Sequence, residues 1–361
     1  MKILYLVTSL EGGGAQARIP RIVTVLRECG HEVDVIACEP RGMGAAHLLD
    51  AAGITYRLLY PAHRSKWAQI RAFTRLARAN RPDVIWTMLS RASVVGAVTG
   101  ALCGVPVVSW KNCADRALHT RLFGGLSRLW IADSQSVADY LFKQVGIRPA
   151  RIVTWPLFEQ MRFTQWPRPW DGVEPLHIGS MGRLHAQKGY DLLIAAVARW
   201  LHANPQRGGR LRVTILGDGP QREQLQGLVD SLGMRSVVTL AGAVADVRPF
   251  LASLHVYAQP SRYEGMCLAA HEAMSAGLAV IATPVGELGA TLRASGGGVL
   301  LGQDVVGSLA AAIDLLLRDP GKLADMGRAA RRHIEQVYGE AGFAQAGRAV
   351  ASRVESLVKA N

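Results

Sequence analysis

Short apolar runs alternate with helical stretches along the whole of this chain, and they fall into two series separated by a segment rich in Trp and Pro, 155–170. The first series reads as strands at 3–8, 32–38, 54–59, 84–88, 105–109 and 129–132, with helices at 15–29 and 66–78; Ser134 reads as the N-cap of a further helix running to 142. The second series reads as strands at 176–182, 212–217, 237–241, 256–258, 279–282 and 298–301, with helices at 190–202, 221–232, 307–317 and 320–338. Strands that alternate with helices predict parallel sheets covered on both faces. The expected architecture is therefore α/β, two Rossmann-like parallel-sheet domains facing across a cleft, with ligand bound at the carboxyl ends of the strands. The prolines stiffen the linker between them. The expected domains are 1–168 and 169–340, followed by a last helix within 341–361.

At 361 residues, with 49% hydrophobic and 19% charged, the chain can bury a core in each domain and carries no signature of disorder. No stretch approaches the roughly 18 uninterrupted apolar residues of a membrane span. The first apolar run is too short for a signal peptide, which leads to an expected cytoplasmic location. Five cysteines, odd in number and without Cys-x-x-Cys spacing, speak against a disulfide frame or a zinc site. Residues 1–170 hold 22 Lys and Arg against 11 Asp and Glu, so this half carries +11 of the net +13. A basic half points to an anionic partner such as a membrane surface, an acidic glycan or a nucleic acid. In the helix 66–78, Trp67, Ile70, Phe73 and Leu76/Ala77 form an apolar stripe, and Lys66, Arg71, Arg75 and Arg78 lie off it. A nucleic-acid groove would interleave more aromatics with its arginines than Trp67 and Phe73, so no nucleic acid is expected.

Three stretches carry chemistry. The run from Pro260 to Gly277 reads as a strand end, a loop with Glu264 and Gly265, and a helix start whose N–H groups at Met266, Cys267 and Leu268 can receive an anion. Seven residues separate Glu264 from Glu272, so the two carboxylates address different parts of one elongated ligand, with a phosphate between two sets of hydroxyls. The loop Gly182-Arg183-Leu184-His185-Ala186-Gln187-Lys188-Gly189 puts two cations at a strand's carboxyl end. The loop Glu11-Gly12-Gly13-Gly14 permits close backbone approach, but it lacks the Gly-x-Gly-x-x-Gly spacing of dinucleotide enzymes. Gly217-Asp218-Gly219-Pro220 reads as a structural turn.

Glu-x7-Glu after Pro260-Ser261, then Ala273-Met274-x-x-Gly277 and an apolar strand, together with Gly182-Arg183 and Lys188-Gly189, resembles the donor-site signature of family 4 of the retaining glycosyltransferases, which have the GT-B fold. The resemblance implies transfer of a sugar from a nucleotide diphosphate sugar, UDP favoured over GDP, with retention at the anomeric carbon. In it Arg183 and Lys188 grip the leaving diphosphate, Glu272 holds the ribose and Glu264 the sugar hydroxyls. Gly13 and Gly14 line the junction of donor and acceptor, and the backbone near Val244 meets the nucleobase. The departing phosphate oxygen takes the acceptor proton, and the last helix crosses back onto the first domain. Met266-Cys267 stands where the family has Phe-Gly, which changes the sugar-facing lining. The first half departs further: Asn112 follows a strand where family members carry histidine, and is the candidate for a sugar or acceptor hydroxyl. No metal and no cofactor are expected, because the nucleotide sugar is a substrate and the chain has no Asp-x-Asp. The expected acceptor is a lipid-linked or cell-envelope glycan at an anionic membrane surface, reached by a peripheral enzyme on the inner face. A nucleotide-sugar binder without catalysis and a small-molecule glycosyltransferase are the alternatives.

Overall fold

A computed structural model describes residues 1–114 and 118–359. The chain forms two compact units, Met1–Leu157 with Glu340–Asn361, and Phe158–Gly339. The first holds seven strands: β1 (Lys2–Val7), β2 (Glu32–Ala37), β3 (Tyr56–Leu58), β4 (Val84–Met88), β5 (Val107–Lys111), β6 (Leu129–Ala132) and β7 (Ile152–Thr154). All pair in parallel in the order β3-β2-β1-β4-β5-β6-β7. The second holds β8 (Leu176–Met181), β9 (Leu211–Leu216), β10 (Val238–Gly242), β11 (Val256–Gln259), β12 (Ala279–Ala282) and β13 (Gly298–Leu300), again parallel, in the order β10-β9-β8-β11-β12-β13. Continuous apolar runs make these strands because both sheet faces are buried: every residue of β4, β5, β8, β11 and β12 is inaccessible to solvent or nearly so. In each sheet the strand order reverses at one point, between β1 and β4 and between β8 and β11. That is where an open parallel sheet leaves a crevice at its carboxyl edge.

Several local expectations change for physical reasons. The helix expected at 15–29 is two, Gly14–Ala17 and Ile19–Glu28, because Pro20 has no N–H to donate and starts a new helix instead of continuing the old one. The strand expected at 105–109 is β5, two residues later, since Val105 N–H closes the preceding helix on Gly100 O at 3.0 Å and Pro106 follows. The 14-residue helix Ser90–Cys103 is absent from the sequence reading. Its Gly96 and Gly100 are the residues that let the helix lie against the sheet. A Cβ on Gly96 would stand 2.2 Å from Thr87 Cγ2, and one on Gly100 would stand 2.2 Å from Val107 Cγ2.

Residues 158–168, expected with the first domain, fold with the second unit. Phe158 is buried edge-on against Tyr338 and beside His271, and Met161 N–H donates to Ser275 Oγ at 3.1 Å. Leu157 ends the first unit, whose core includes Tyr5, Trp86, Trp110 and Trp155, the last 4.9 Å from Trp110. Each such aromatic taken from water contributes on the order of 2–3 kcal/mol.

Candidate active site

The carboxyl ends of β8 and β11 carry the two loops of the second unit that the sequence singles out. The β8 loop holds Arg183 and Lys188, and the β11 loop holds Ser261 to Cys267. They are fastened to each other along their length. Arg262 N–H donates to Gln187 O at 2.7 Å, and Gln187 Nε2 to Tyr263 O at 3.0 Å. The Arg262 guanidinium forks onto Asp191 at 2.9 and 2.6 Å and reaches Ala186 O at 2.7 Å. That hydrogen-bonded pair lowers the Asp191 pKa and raises that of Arg262. Gly189, with φ +67°, is where the loops touch: a Cβ there would lie 2.1 Å from Pro260 O.

Lys188 and Glu264 meet inside this joint, Nζ to Oε1 at 2.8 Å, with Glu264 6% exposed. Burial disfavours the ammonium, but the Glu264 carboxylate outweighs it and holds the Lys188 pKa above its ordinary value. A chain of hydrogen bonds running in one direction ends on Glu264. Met181 N–H donates to Tyr257 OH (3.1 Å), which donates to Gln259 Oε1 (2.9 Å); Gln259 Nε2 donates to Ser261 Oγ (2.7 Å), which donates to Glu264 Oε1 (2.7 Å). Gln187 Nε2 reaches Oε2 at 3.4 Å. Lys188, Ser261 and Gln187 thus all donate to the Glu264 carboxyl group. Tyr257 and Gln259 carry no mark of this arrangement in the sequence, where they read as an ordinary strand end, and Ser261 stands out only as part of the Pro260-Ser261 signature.

The helix after the β11 loop is Leu268–Ser275, capped by Cys267 in the left-handed region at φ +59°. Ala270 N–H and His271 N–H both donate to Cys267 O, so the N–H groups of Met266, Cys267 and Leu268 lie ahead of the ladder. The side chains of Met266 and Cys267 turn inward. They are 2% and 4% exposed and pack among Met181, Leu216, Tyr257 and Met274. Burial, with the nearby Glu264 carboxylate, raises the Cys267 thiol pKa well above its usual value. His271, given no role from sequence, holds the helix start. Its Nδ1–H donates to Cys267 O and its Nε2 accepts from Thr291 Oγ1, both at 3.1 Å, and burial lowers its pKa to about 4.

Glu272 is half-buried one residue further along the helix, Arg183 is exposed, and Gly265 O accepts from Glu287 N–H at 2.9 Å. Val244 is exposed in the loop after β10. Tyr190 OH is fully buried without a hydrogen-bond partner, and a Cβ on Gly182 would sit 3.1 Å from it and 3.4 Å from Lys188 Cε. In the first unit, Gly13 caps the short helix that Gly14 begins, and Asn112 follows β5 with both side-chain polar atoms buried and unpartnered beside a cavity of about 90 Å³.

The fold is that of known glycosyltransferases. The Anabaena protein HepE, solved in complex with UDP and glucose, superimposes with a TM-score of 0.82 at 21% identity, covering 99% of this chain and 100% of that one. Sucrose-phosphate synthase from Thermosynechococcus elongatus gives 0.79 at 19%, with full coverage of both. The fold is thus of the GT-B type. Residues 170–333 match the model of the glycosyl transferases group 1, and residues 12–158 match that of glycosyltransferase family 4. The chain belongs to the group 1 glycosyltransferases of family 4. It is 28% identical to the D-inositol 3-phosphate glycosyltransferase of Gordonia bronchialis, over 90% of this chain and 81% of that one. It is 27% identical to the glycogen synthase of Mycobacterium tuberculosis, over 89% and 86%.

Proposed function

We propose that this enzyme moves a hexose from a nucleotide diphosphate sugar, UDP in preference to GDP, to an acceptor hydroxyl with retention and without a metal ion. The observation that carries the reading is the Lys188–Glu264 pair, fixed where β8 and β11 part and adjoining an open helix start. Cleavage of the donor leaves negative charge on the diphosphate, and cations already held in place stabilise it without reorganisation. Lys188 and Arg183 supply the cations, and the N–H groups of Met266 to Leu268 supply dipoles. Glu264 takes the sugar hydroxyls and Glu272 the ribose. The backbone near Val244 borders the base, Gly13 and Gly14 leave room at the acceptor side, and Asn112 offers an amide to a hydroxyl. The departing phosphate oxygen receives the acceptor proton. The UDP bound by HepE supports the choice of nucleotide.

The acceptor in this reading is anionic or lies at an anionic surface, such as a lipid-linked envelope glycan. Trp67 is 75% exposed at the start of the helix Lys66–Asn80, with Lys66, Arg71, Arg75 and Arg78 exposed along it, while Ile70, Phe73 and Ala77 pack into the core. An exposed Trp among cations suits a lipid headgroup layer, each cation contributing about 1 kcal/mol near an anionic bilayer. No helix among the described residues is long and apolar enough to cross a membrane. Fold likeness to the lipopolysaccharide outer core galactosyltransferase WaaB fits an envelope acceptor, whereas the inositol-phosphate relatives fit a soluble one. The test is thermal stabilisation by a panel of nucleoside diphosphates, followed by NMR of the anomeric product with and without a chelator. UDP should stabilise most, the α-configured donor should give an α-linked product, and chelation should leave the rate unchanged. Inversion, or loss of activity restored by a divalent cation, would overturn the corresponding part.

A further inference from the structure

The first unit has a cavity of about 350 Å³ at its own switch point. Thr8, from the end of β1, faces Leu89, Ser90 and Arg91, from the end of β4 and the start of the helix Ser90–Cys103. Arg41 comes from the loop after β2, Lys66 from the start of its helix, Glu11 from the glycine loop and Gln16 from the short helix Gly14–Ala17. Three cations thus line the space against one carboxylate.

A buried anion underneath sets the cations in place. Glu39 is 0% exposed; its Oε1 faces Arg41 Nε and, at 3.5 Å, Arg91 Nε, and its Oε2 meets His63 Nδ1 at 2.8 Å. Arg91 also donates to Arg64 O at 3.3 Å. Two guanidiniums carry ten N–H donors between them, far more than one carboxylate accepts. The helix start is not what would hold an anion here. Thr8 Oγ1 already accepts from Arg91 N–H and Ala92 N–H, both at 3.2 Å, so the side chains provide the charge. Two of the four non-glycine residues with positive φ among those described, Arg41 at +34° and Leu89 at +74°, lie in this lining. Such conformations are strained and persist where the surroundings impose them, most often at ligand sites.

From this geometry we infer that the cavity is the acceptor's anion subsite, taking a phosphate ester of a sugar or polyol of hexose size. Arg41, Lys66 and Arg91 hold the phosphate, and Glu11 and Gln16 meet hydroxyls. The volume lies at the lower end of small-ligand sites, room for one such ester and no longer glycan. The inference rests on the glycosyl-transfer reading above and gives its acceptor a chemical class: the ester of a phosphate, free or at the surface of a lipid layer.

The experiment is isothermal titration of the full chain, with UDP saturating so that no probe enters the donor site, against inorganic phosphate, glucose 6-phosphate and glucose. Co-sedimentation with phosphatidylglycerol vesicles runs beside it. Phosphate and glucose 6-phosphate should bind and glucose should not. Arg41→Ala and Lys66→Ala, both at solvent-accessible positions, should each weaken glucose 6-phosphate at least tenfold while leaving UDP affinity unchanged. Vesicle binding that is competed by glucose 6-phosphate and lost in both variants makes the source a lipid phosphate. Binding of glucose 6-phosphate without vesicle binding makes it a soluble ester. Indifference of the wild type to every phosphate probe, or equal binding by wild type and variants, overturns the inference. Failure of UDP itself to bind would instead strike the nucleotide reading, and the probe titrations repeated without nucleotide would still decide the cavity.

Discussion

Lys188 and Glu264 neutralise each other across 2.8 Å in the structure, so each must be judged by what its removal leaves behind. Lys188→Ala strands a buried carboxylate as well as removing a cation from the proposed diphosphate site. Arg183→Ala removes an exposed cation. Both should cost about 3 kcal/mol of transition-state stabilisation, roughly a hundredfold in kcat/KM, and Lys188→Ala should in addition lower the unfolding midpoint while Arg183→Ala does not. Wild-type turnover in both would remove these residues from the site. The two glutamates should separate: Glu272→Ala weakens UDP binding, and Glu264→Gln, which keeps the shape of the side chain, leaves UDP binding nearly intact and slows transfer. An equal fall in UDP affinity in the two variants, measured by calorimetry, would mean that the roles are misassigned. Lys188 and Glu264, which the structure brings together, stood out in sequence as charged residues at strand ends beside glycines. Glu39, Arg41 and Arg91 did not, because they lie on two different strand ends with nothing in their spacing to connect them. The inward turn of Met266 and Cys267 was hidden too, since it follows from the left-handed backbone at Cys267.

Elements were legible where both faces of a strand are buried, or where a helix keeps one apolar side: β4, β6 and β12 were placed to the residue. They were missed where packing overrides the local signal, as in the glycine-containing helix Ser90–Cys103, buried on more than one side, or where an element is three residues long, as is β7. Two neutral imidazoles brace the elements of the second unit. His177, at the second residue of β8, donates from Nδ1 to Ser253 O and accepts at Nε2 from Thr214 Oγ1, both at 2.9 Å; His271 braces the helix Leu268–Ser275. Burial lowers both pKa values from 6.5 to about 4. The neutral forms are favoured in the fold, so their full contribution is present above the unfolded value near 6.5. It is lost as pH falls from there towards about 4, and below that no more is lost from these groups. For the fully buried His271 the loss is at most about 3 kcal/mol. Urea midpoints measured from pH 7.5 to 4 should fall across this window, and His271→Gln should flatten the decline. A midpoint constant down to pH 4.5 would contradict this account.

At the scale of the whole chain, the succession of strands and helices sufficed for two parallel sheets, but the sequence could not show which unit owns the connecting segment. Phe158 and the residues after it belong to the second unit because of where that one ring is buried. The first unit is discontinuous and takes its last helix, Glu340–Lys359, from the far end of the chain. Trp155 Nε1 donates to Phe343 O at 3.0 Å with the rings 5.4 Å apart, and a Cβ on Gly347 would stand 2.4 Å from the Trp155 ring. His31 meets Glu355 at 3.3 Å. Deleting 340–361 should therefore unfold or loosen the first unit, seen as rapid amide exchange in β1, β4 and β5, while amides of 182–189 and 260–268 stay protected by UDP. Loss of UDP protection together with the first unit would show that the two are not separable in this way. During synthesis the arrangement inverts the usual order in which domains mature. The continuous second unit can finish as soon as residue 339 has left the ribosome, whereas the first, although begun earlier, waits with Trp155 uncovered until the helix Glu340–Lys359 has been made. A ribosome that stalls between residue 339 and that helix leaves a chain with a finished second unit and an aggregation-prone beginning.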